Sequence, residues 1–175
     1  MKRTETKSTK IRCSKCRKGK LRLERIDHNV GPLLDLPRVW VENMPALVCP
    51  SCDAVSIIGV ILDEIAMRVV VEILQLASLP PIEVRFLRKL LGDTQDEFAL
   101  RLSVDRVTVN RWENGSQDVS GPTAYAIRSH AFFRLRARSS LVDSVAAAFT
   151  AEHLPSPPSK KKGYSIQGSD LQAAA

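Results

Sequence analysis

The four cysteines of the chain occur as two Cys-x-x-Cys pairs. Cys13 and Cys16 form the first pair, Cys49 and Cys52 form the second, and 32 residues lie between them. Because a Cys-x-x-Cys turn directs two thiolates at one point, two such turns complete the tetrahedral four-sulfur shell that zinc favours. The spacing therefore predicts one structural zinc ion per chain, bound by all four cysteines.

Two other interpretations of the cysteines are another metal or cluster, and redox-active thiols. The redox interpretation is the weaker one, because two pairs are present and neither lies in a thioredoxin-like βαβ pattern. A closed four-sulfur shell has no open position for water or substrate, which argues against zinc catalysis. Lys15, Arg17 and Lys18 lie beside the first pair, where they would offset the negative charge of a zinc–thiolate centre.

A second group of residues has the pattern of three short helices joined by tight turns. The start and stop signals are, in chain order, Gly92 as a C-terminal glycine, Thr94 with Glu97 as a capping box, Asp105 as an N-cap and Gly115 as a second C-terminal glycine. We expect the inner faces of the second and third helices to consist of Phe98, Ala99, Leu102, Val104, Val109 and Trp112.

The third of these helices would then have an outer face suited to a DNA groove. Its outer residues are Arg106, Val107, Asn110 and Arg111. Arginine and asparagine can make bidentate hydrogen bonds to guanine and adenine edges. Gln95, at the start of the second helix, is placed to hold a phosphate together with the helix dipole. On this pattern alone, a small helical bundle that binds no DNA remains the alternative.

The elements around these groups are outlined by periodicity and by glycine and proline. Short β-like runs are expected at Lys20–Ile26, Arg38–Glu42, Ala46–Cys49 and Ala54–Ile58. One helix is expected over residues 61–79, with a stripe of Ile61, Ile65, Val69, Ile73 and Leu76. The Pro80-Pro81 pair would end it.

A fourth helix of the C-terminal half is expected over residues 123–138. Its inward stripe would be Ala124, Ile127, Ala131 and Leu135. Its arginines, which either attract phosphate or form a solvated face, are Arg128, Arg134, Arg136 and Arg138.

The predicted fold class is α+β, with a small β-rich zinc module followed by an all-α helix-turn-helix domain of four to five helices. The predicted segments are a basic arm (1–10), the zinc module (11–60), a linker helix (61–79), the DNA-binding domain (80–138), and an extra helix with a disordered tail (139–175).

Two stretches of this sequence resemble a known family. Residues 94–115, TQDEFALRLSVDRVTVNRWENG, are similar to the Cro/repressor-type (XRE) helix-turn-helix. Together with the preceding VEILQLASLPPIEVRFLRKLLG and the VWVENMPALVCPSC of the cysteine module, the chain resembles the MqsA-type antitoxin family over residues 11–138. That family fuses a YgiT-type zinc finger to this helix-turn-helix.

The resemblance implies roles for single residues. Besides zinc ligation by the four cysteines, it implies base contacts from Arg106, Val107 and Arg111, and phosphate contacts from Gln95, Thr108 and Asn114. It also implies a structural ion pair between Arg88 and Glu113. Two positions depart from the family: Ser103 stands where the turn usually has glycine, and Val107 replaces a commonly polar side chain, so that it could contact only a thymine methyl.

Composition and charge limit the remaining function classes. No apolar run approaches the roughly 18–20 residues of a membrane span, and the polar start lacks the apolar core of a secretory signal. We therefore expect a cytoplasmic protein with reduced thiols. The net charge is +7, and residues 1–25 carry eleven basic and two acidic side chains. A basic end of this kind indicates an acidic partner such as phosphate, or a solvated arm.

The sequence thus predicts a homodimeric, sequence-specific repressor that binds double-stranded operator DNA and is not an enzyme. By resemblance it is also the antitoxin of a type II toxin–antitoxin pair, and it binds the toxin protein through strand edges and Trp40 of the zinc module. Trp40 could instead cover a small core. The alternatives are a stand-alone zinc-containing regulator without a toxin and, less favoured because no catalytic set is present, an enzyme with an accessory zinc ribbon.

Overall fold

The computed structural model of the protein describes residues 4–144 and 163–171. These residues form two compact units. The first contains residues 4–32, 37–66 and 163–171, and the second contains residues 33–36 and 67–144. The first unit is a β-sheet module that carries the four cysteines, and the second is helical, so the predicted α+β class is confirmed.

The sheet of the first unit has five strands. They are β1 (Thr4–Arg12), β2 (Lys20–Asn29), β3 (Val39–Val48), β4 (Val55–Ser56) and β5 (Tyr164–Gln167). The first four pair antiparallel in the order β1-β2-β3-β4, and β5 pairs parallel with β3. The core on this sheet includes Ile26, Val39, Val41 and Met44, all fully buried.

β3 is one continuous strand where the sequence predicted two runs separated by Pro45. On one side, β3 pairs with β2 along most of its length, including Arg25 opposite Pro45. On the other side, residues 39–42 pair with β5, and Leu47 and Val48 pair with β4. Pro45 lies in the gap between these two stretches, where a strand tolerates a residue without an N–H group.

The two ends of the described chain are more ordered than predicted. Residues 4–10, expected as a charged arm, belong to β1. In the predicted disordered tail, residues 164–167 form β5, and a short 3₁₀-helix follows at Gly168–Asp170. Tyr164, Ile166 and Leu171 are buried, so this segment completes the core of the sheet module. Residues 145–162, which include most of the predicted extra helix, lie outside the described residues.

The predicted linker helix is α1 (Gly59–Leu74). Four members of its predicted stripe are completely buried: Ile61, Ile65, Val69 and Ile73. The fifth, Leu76, follows the end of the helix at Leu74, six positions before Pro80. The proline pair therefore begins the next helix instead of ending this one, with Pro80 as its N-cap.

The rest of the helical unit consists of five helices among the described residues. They are α2 (Pro81–Leu91), α3 (Gln95–Arg101), α4 (Arg106–Asn114), α5 (Gly121–Leu135) and α6 (Ser140–Asp143). Their shared core contains Leu87, Phe98, Val109 and Ile127, and all four are fully buried. The predicted inward stripe of α5 is confirmed, since Ala124, Ile127, Ala131 and Leu135 are at most 1% exposed.

The helix ends follow the predicted local signals. Thr94 and Glu97 form both hydrogen bonds of a capping box, and Asp105 accepts a hydrogen bond from the backbone of Thr108. Gly92 and Gly115 adopt left-handed backbone conformations, with φ of 79° and 76°. Within the described part of the chain, no helix has the length and apolar character needed to cross a bilayer.

Candidate metal centre and DNA-binding helix

The four cysteine sulfur atoms form one cluster. Cys13 Sγ lies 3.7 Å from Cys52 Sγ, and Cys16 Sγ lies 3.6 Å from Cys49 Sγ. All four atoms lie within 4.8 Å of one another. In a tetrahedral shell with zinc–sulfur bonds of about 2.3 Å, neighbouring sulfurs are about 3.8 Å apart. The two shortest separations match this spacing, so the cluster could bind a metal ion such as zinc.

The two cysteine pairs have the same backbone geometry. In the first turn, the N–H of Arg17 donates to the carbonyl of Cys13, and in the second, the N–H of Asp53 donates to the carbonyl of Cys49, both at 2.9 Å. Arg17 and Asp53 are also left-handed, with φ of 57° and 53°. Each turn thus has a left-handed residue directly after its second cysteine.

Gly19 is a residue of this centre that the sequence analysis missed. Its carbonyl accepts a hydrogen bond from the N–H of Cys13 at 2.9 Å. A Cβ atom at this position would lie 2.6 Å from Cys49 Sγ and 2.8 Å from Ser51 Oγ. The close approach of the two turns therefore requires glycine. The only signal in the sequence is a glycine three residues after Cys16.

Local hydrogen bonds and burial give the cysteine thiols different pKa values. The backbone N–H of Gly19 lowers the pKa of Cys16 to about 6, and the N–H groups of its own turn, that of Cys16 first, lower the pKa of Cys13. The N–H of Ala54 favours the thiolate of Cys52, but burial and the adjacent thiols outweigh it and raise that pKa to about 12. Four sulfurs this close resist ionising together, and a divalent cation relieves the repulsion.

The helical unit is organised around a buried ion pair. Arg88 of α2 donates to Glu113 of α4 through Nε at 2.5 Å and Nη2 at 3.0 Å, and its Nη1 donates to the carbonyl of Asp93. Gln95 of α3 also donates to Glu113, at 2.8 Å. The Arg88–Glu113 pair implied by the family resemblance is therefore present. It connects three helices and fixes α4 against the other two.

The turn between α3 and α4 contains the departure noted at Ser103. Ser103 has φ of 55°, in the left-handed region where glycine is normally found. A serine in this conformation costs about 1 kcal/mol relative to glycine. The turn therefore has the left-handed backbone that glycine would favour, and Ser103 is strained in it.

The predicted outer face of α4 is exposed to solvent. Arg106, Val107, Asn110 and Arg111 are all exposed, and Val107 is 55% exposed despite its apolar side chain. Arg106 makes only a long surface contact with Asp96, at 3.6 Å. α4 thus offers a row of exposed polar side chains with one apolar side chain among them.

The three predicted phosphate-contacting residues lie at the ends of helices and already have partners. Gln95 donates to Glu113, the Thr108 hydroxyl donates to Asp105, and Asn114 accepts from both the backbone and the hydroxyl of Ser116. Asn114 also donates to Asn110 Oδ1 at 3.2 Å. These bonds hold the side chains in place and leave one N–H of Gln95 and one of Asn114 for further contacts.

The four arginines expected to attract phosphate or to form a solvated face all have contacts within the helical unit, although only Arg128 and Arg134 belong to α5. Arg128 is buried and donates to the carbonyls of Ala124 and Leu76. Arg134 and Arg138 donate to the last carbonyls of α2, at 3.4 and 3.2 Å, which satisfies a helix C-terminus. Arg136 pairs with Asp143 and lies over the ring of Phe132.

The comparison with family models concerns the helical unit. Residues 84–130 match HTH_3, a helix-turn-helix family. These residues are a helix-turn-helix domain. The domain includes α3, the Ser103 turn and α4, and the match supports a DNA-binding transcriptional regulator. It covers none of the cysteine module, and no curated protein matches the chain.

Proposed function

We propose that the protein is a sequence-specific DNA-binding repressor in which α4 enters the major groove. The observation that carries this proposal is the exposed outer face of α4, held by a buried ion pair inside a helix-turn-helix domain. In domains of this class, the second helix of the motif reads base edges while the first contacts the backbone.

The base-reading residues are Arg106, Val107, Asn110 and Arg111. Arginine suits guanine and asparagine suits adenine, because both make paired hydrogen bonds in the major groove. Val107 suits a thymine methyl, and its exposure supports this, since an apolar side chain gains by being covered. Gln95, Thr108 and Asn114 position the phosphates on either side.

The active form is a homodimer on a two-fold symmetric operator. Support comes from the class, because helix-turn-helix proteins bind half-sites about one helical turn apart as dimers. Light scattering on the free protein and on the DNA complex measures this directly. One chain per duplex at saturation would contradict the dimer.

The cysteine cluster holds one structural zinc ion, and the chain carries out no catalysis there. The closed four-sulfur geometry supports both statements. Bound zinc would stabilise the sheet module, because a site of this kind does not exist in the unfolded chain.

The finer proposal is that the protein is a cytoplasmic antitoxin that neutralises a toxin through its sheet module. It rests on the resemblance described above. The backbone edge at residues 39–42 is occupied by β5, so a partner strand would pair with another free edge of the sheet, of which β1 is the longest. Trp40 would contact the toxin through its half-buried side chain. A stand-alone regulator without a toxin is the alternative.

DNA reading is tested with Arg111→Ala and Asn114→Ala, after selection of the preferred site from random duplexes. Arg111→Ala should lose about 1–3 kcal/mol on the selected site and relax the preference at one base pair. Asn114→Ala should weaken binding to all sequences alike. Wild-type affinity of Arg111→Ala at physiological salt would show that α4 does not read the base.

Toxin binding is tested by co-purification of the full chain with the product of the neighbouring gene. Fragments are unsuitable because β5 comes from the far end of the chain and completes the module. Arg111→Ala should retain the partner, whereas Trp40→Ala should lose it with zinc still bound. Loss in the first variant and retention in the second would place the partner on the helix-turn-helix domain.

A further inference from the structure

The end of the sheet module around the first cysteine pair has a dense basic surface. Between Glu5 and Glu24, the sequence contains no acidic residue. All basic side chains from position 10 to position 22 are exposed: Lys10, Arg12, Lys15, Arg17, Lys18, Lys20 and Arg22. None of them forms an ion pair with another residue in the described part of the chain. We call these seven residues the basic knuckle surface.

The register of the sheet brings like charges together on this surface. Arg12 of β1 lies directly opposite Lys20 of β2. Like charges in directly opposed positions of neighbouring strands destabilise the pairing. A polyanion that binds across Arg12 and Lys20 would reduce this repulsion.

The metal centre does not account for all of these cations. A zinc ion with four thiolates carries a net charge of −2, and Asp53 adds one negative charge in the second turn. The seven cations exceed these three negative charges, so about four positive charges remain for a partner.

Protection of a sheet edge also fails to explain the whole surface. Lysine on an edge strand discourages aggregation, and this applies to Lys10 in β1. It does not apply to Lys15, Arg17 and Lys18, which lie in the cysteine turn between β1 and β2. Arg17 moreover occupies a left-handed position where glycine would be free of strain.

The segment that contains α4 lacks the excess positive charge of the basic knuckle surface. Residues 82–121 contain six basic and seven acidic side chains, and Arg88 is buried against Glu113. Phosphate attraction dominates the affinity of most DNA-binding proteins, yet the segment that carries α4, residues 82–121, has no excess of positive charge.

We propose that the basic knuckle surface binds the phosphate backbone of duplex DNA without regard to sequence. The inference rests on the proposed function only in the choice of duplex DNA as the polyanion. The sheet module then supplies affinity and salt dependence, while α4 supplies sequence preference.

The experiment measures binding of the full-length, zinc-loaded protein to a mixed-sequence duplex by fluorescence anisotropy, between about 50 and 200 mM KCl. The main variant is Lys15→Gln/Arg17→Gly/Lys18→Gln. Each lost phosphate contact lowers the slope of log K against log salt by about 0.9. If all three cations contact phosphate, wild-type affinity falls about 40-fold more than that of the variant over this range.

A matched pair of single substitutions controls for folding. Arg17→Gly and Asp53→Gly relieve the same left-handed strain in equivalent positions of the two turns. The first removes a cation and should reduce the fall in affinity over this salt range by about 3.5-fold, whereas the second should leave the slope undiminished. Equal slopes for the two glycine variants would overturn the proposal.

The outcomes separate this inference from the function of α4. A wild-type slope in the triple variant, with zinc content and melting temperature unchanged, overturns the phosphate surface and leaves base reading by Arg111 intact. A reduced slope in the triple variant, together with wild-type specificity in Arg111→Ala, supports phosphate binding by the basic knuckle surface and contradicts base reading by Arg111. A slope reduced on single-stranded RNA but unchanged on duplex DNA also overturns the proposal, because the partner is then a different polyanion.

Discussion

Replacement of Glu113 by glutamine should destabilise the helical unit more than any exposed substitution. Glu113 is 7% exposed and Arg88 is 9% exposed, so the pair is largely shielded from water. Glutamine keeps the shape but removes the charge, and its amide group places a donor against the donors of Arg88 or Gln95. Breaking a buried pair by removing one partner typically costs about 3–5 kcal/mol.

The lower end of that range applies here, because Arg88 keeps its hydrogen bond to the carbonyl of Asp93 at 2.8 Å. We expect a loss of about 3 kcal/mol, which lowers the melting temperature of a unit of this size by about 10–20 °C. Thermal unfolding, followed by far-ultraviolet circular dichroism, measures the change in melting temperature. Because Glu113 links α4 to α2, operator affinity should fall as well.

The pH dependence gives an independent check. Burial alone would raise the pKa of Glu113, but hydrogen bonds from Arg88 and Gln95 outweigh burial and lower the pKa below its ordinary value. A carboxyl group with a depressed pKa in the folded state stabilises above its unfolded pKa, about 4.3, and loses this contribution as pH falls through the folded value. The difference in the free energy of unfolding between wild type and Glu113→Gln should therefore become smaller below about pH 4.

The double variant Arg88→Met/Glu113→Leu tests the cause. Apolar side chains of similar volume often replace a buried ion pair without loss, so the double variant should be more stable than Glu113→Gln. A loss below about 0.5 kcal/mol in Glu113→Gln, the level of an ordinary surface change, would refute the argument that the buried charge matters.

Four further predictions follow from the metal centre, the turn and the last strand. Cys49→Ser should abolish the expected ratio of one zinc per chain and unfold the sheet module; a folded, reduced wild type without metal in elemental analysis would contradict this. Gly19→Ala should weaken zinc binding about 10- to 100-fold in chelator competition, because its Cβ meets Cys49 Sγ. Ser103→Gly should stabilise the helical unit by about 1 kcal/mol in denaturant unfolding, with no change expected if the left-handed turn is absent. Deletion of residues 163–175 removes three buried apolar side chains and should cost the sheet module about 5 kcal/mol; an unchanged denaturant midpoint would argue against a structural role of β5.

The features that the sequence predicted well depend on neighbouring residues. The capping box at Thr94 and the left-handed glycines at Gly92 and Gly115 act within one helical turn, so their signals are local and their outcome is confirmed. The cysteine pairs are equally local as turns, and only four thiols were available to meet. The prediction that the four thiols meet therefore rested on the ligand preference of zinc and did not require the strand order of the sheet.

The features that the sequence did not predict depend on distant partners. β1 and β5 are polar or short, and they become strands only because β2 and β3 offer them pairing edges. The carbonyl contacts of Arg128, Arg134 and Arg138 were not predicted, because a sequence does not show which backbone carbonyls lie nearby. Gly19 appeared ordinary because its need for glycine arises from Cys49, thirty positions later.

The late position of β5 affects how the protein is made. Tyr164 follows Val48, the last residue of β3, by 116 positions. At a synthesis rate of about 5–20 residues per second, the ribosome adds this last strand about 6–23 s after β3. During that interval α2 to α5 are synthesised, while residues 39–42 have one unpaired side. The cysteine module is thus synthesised first, but its sheet is complete only after the last strand has been made.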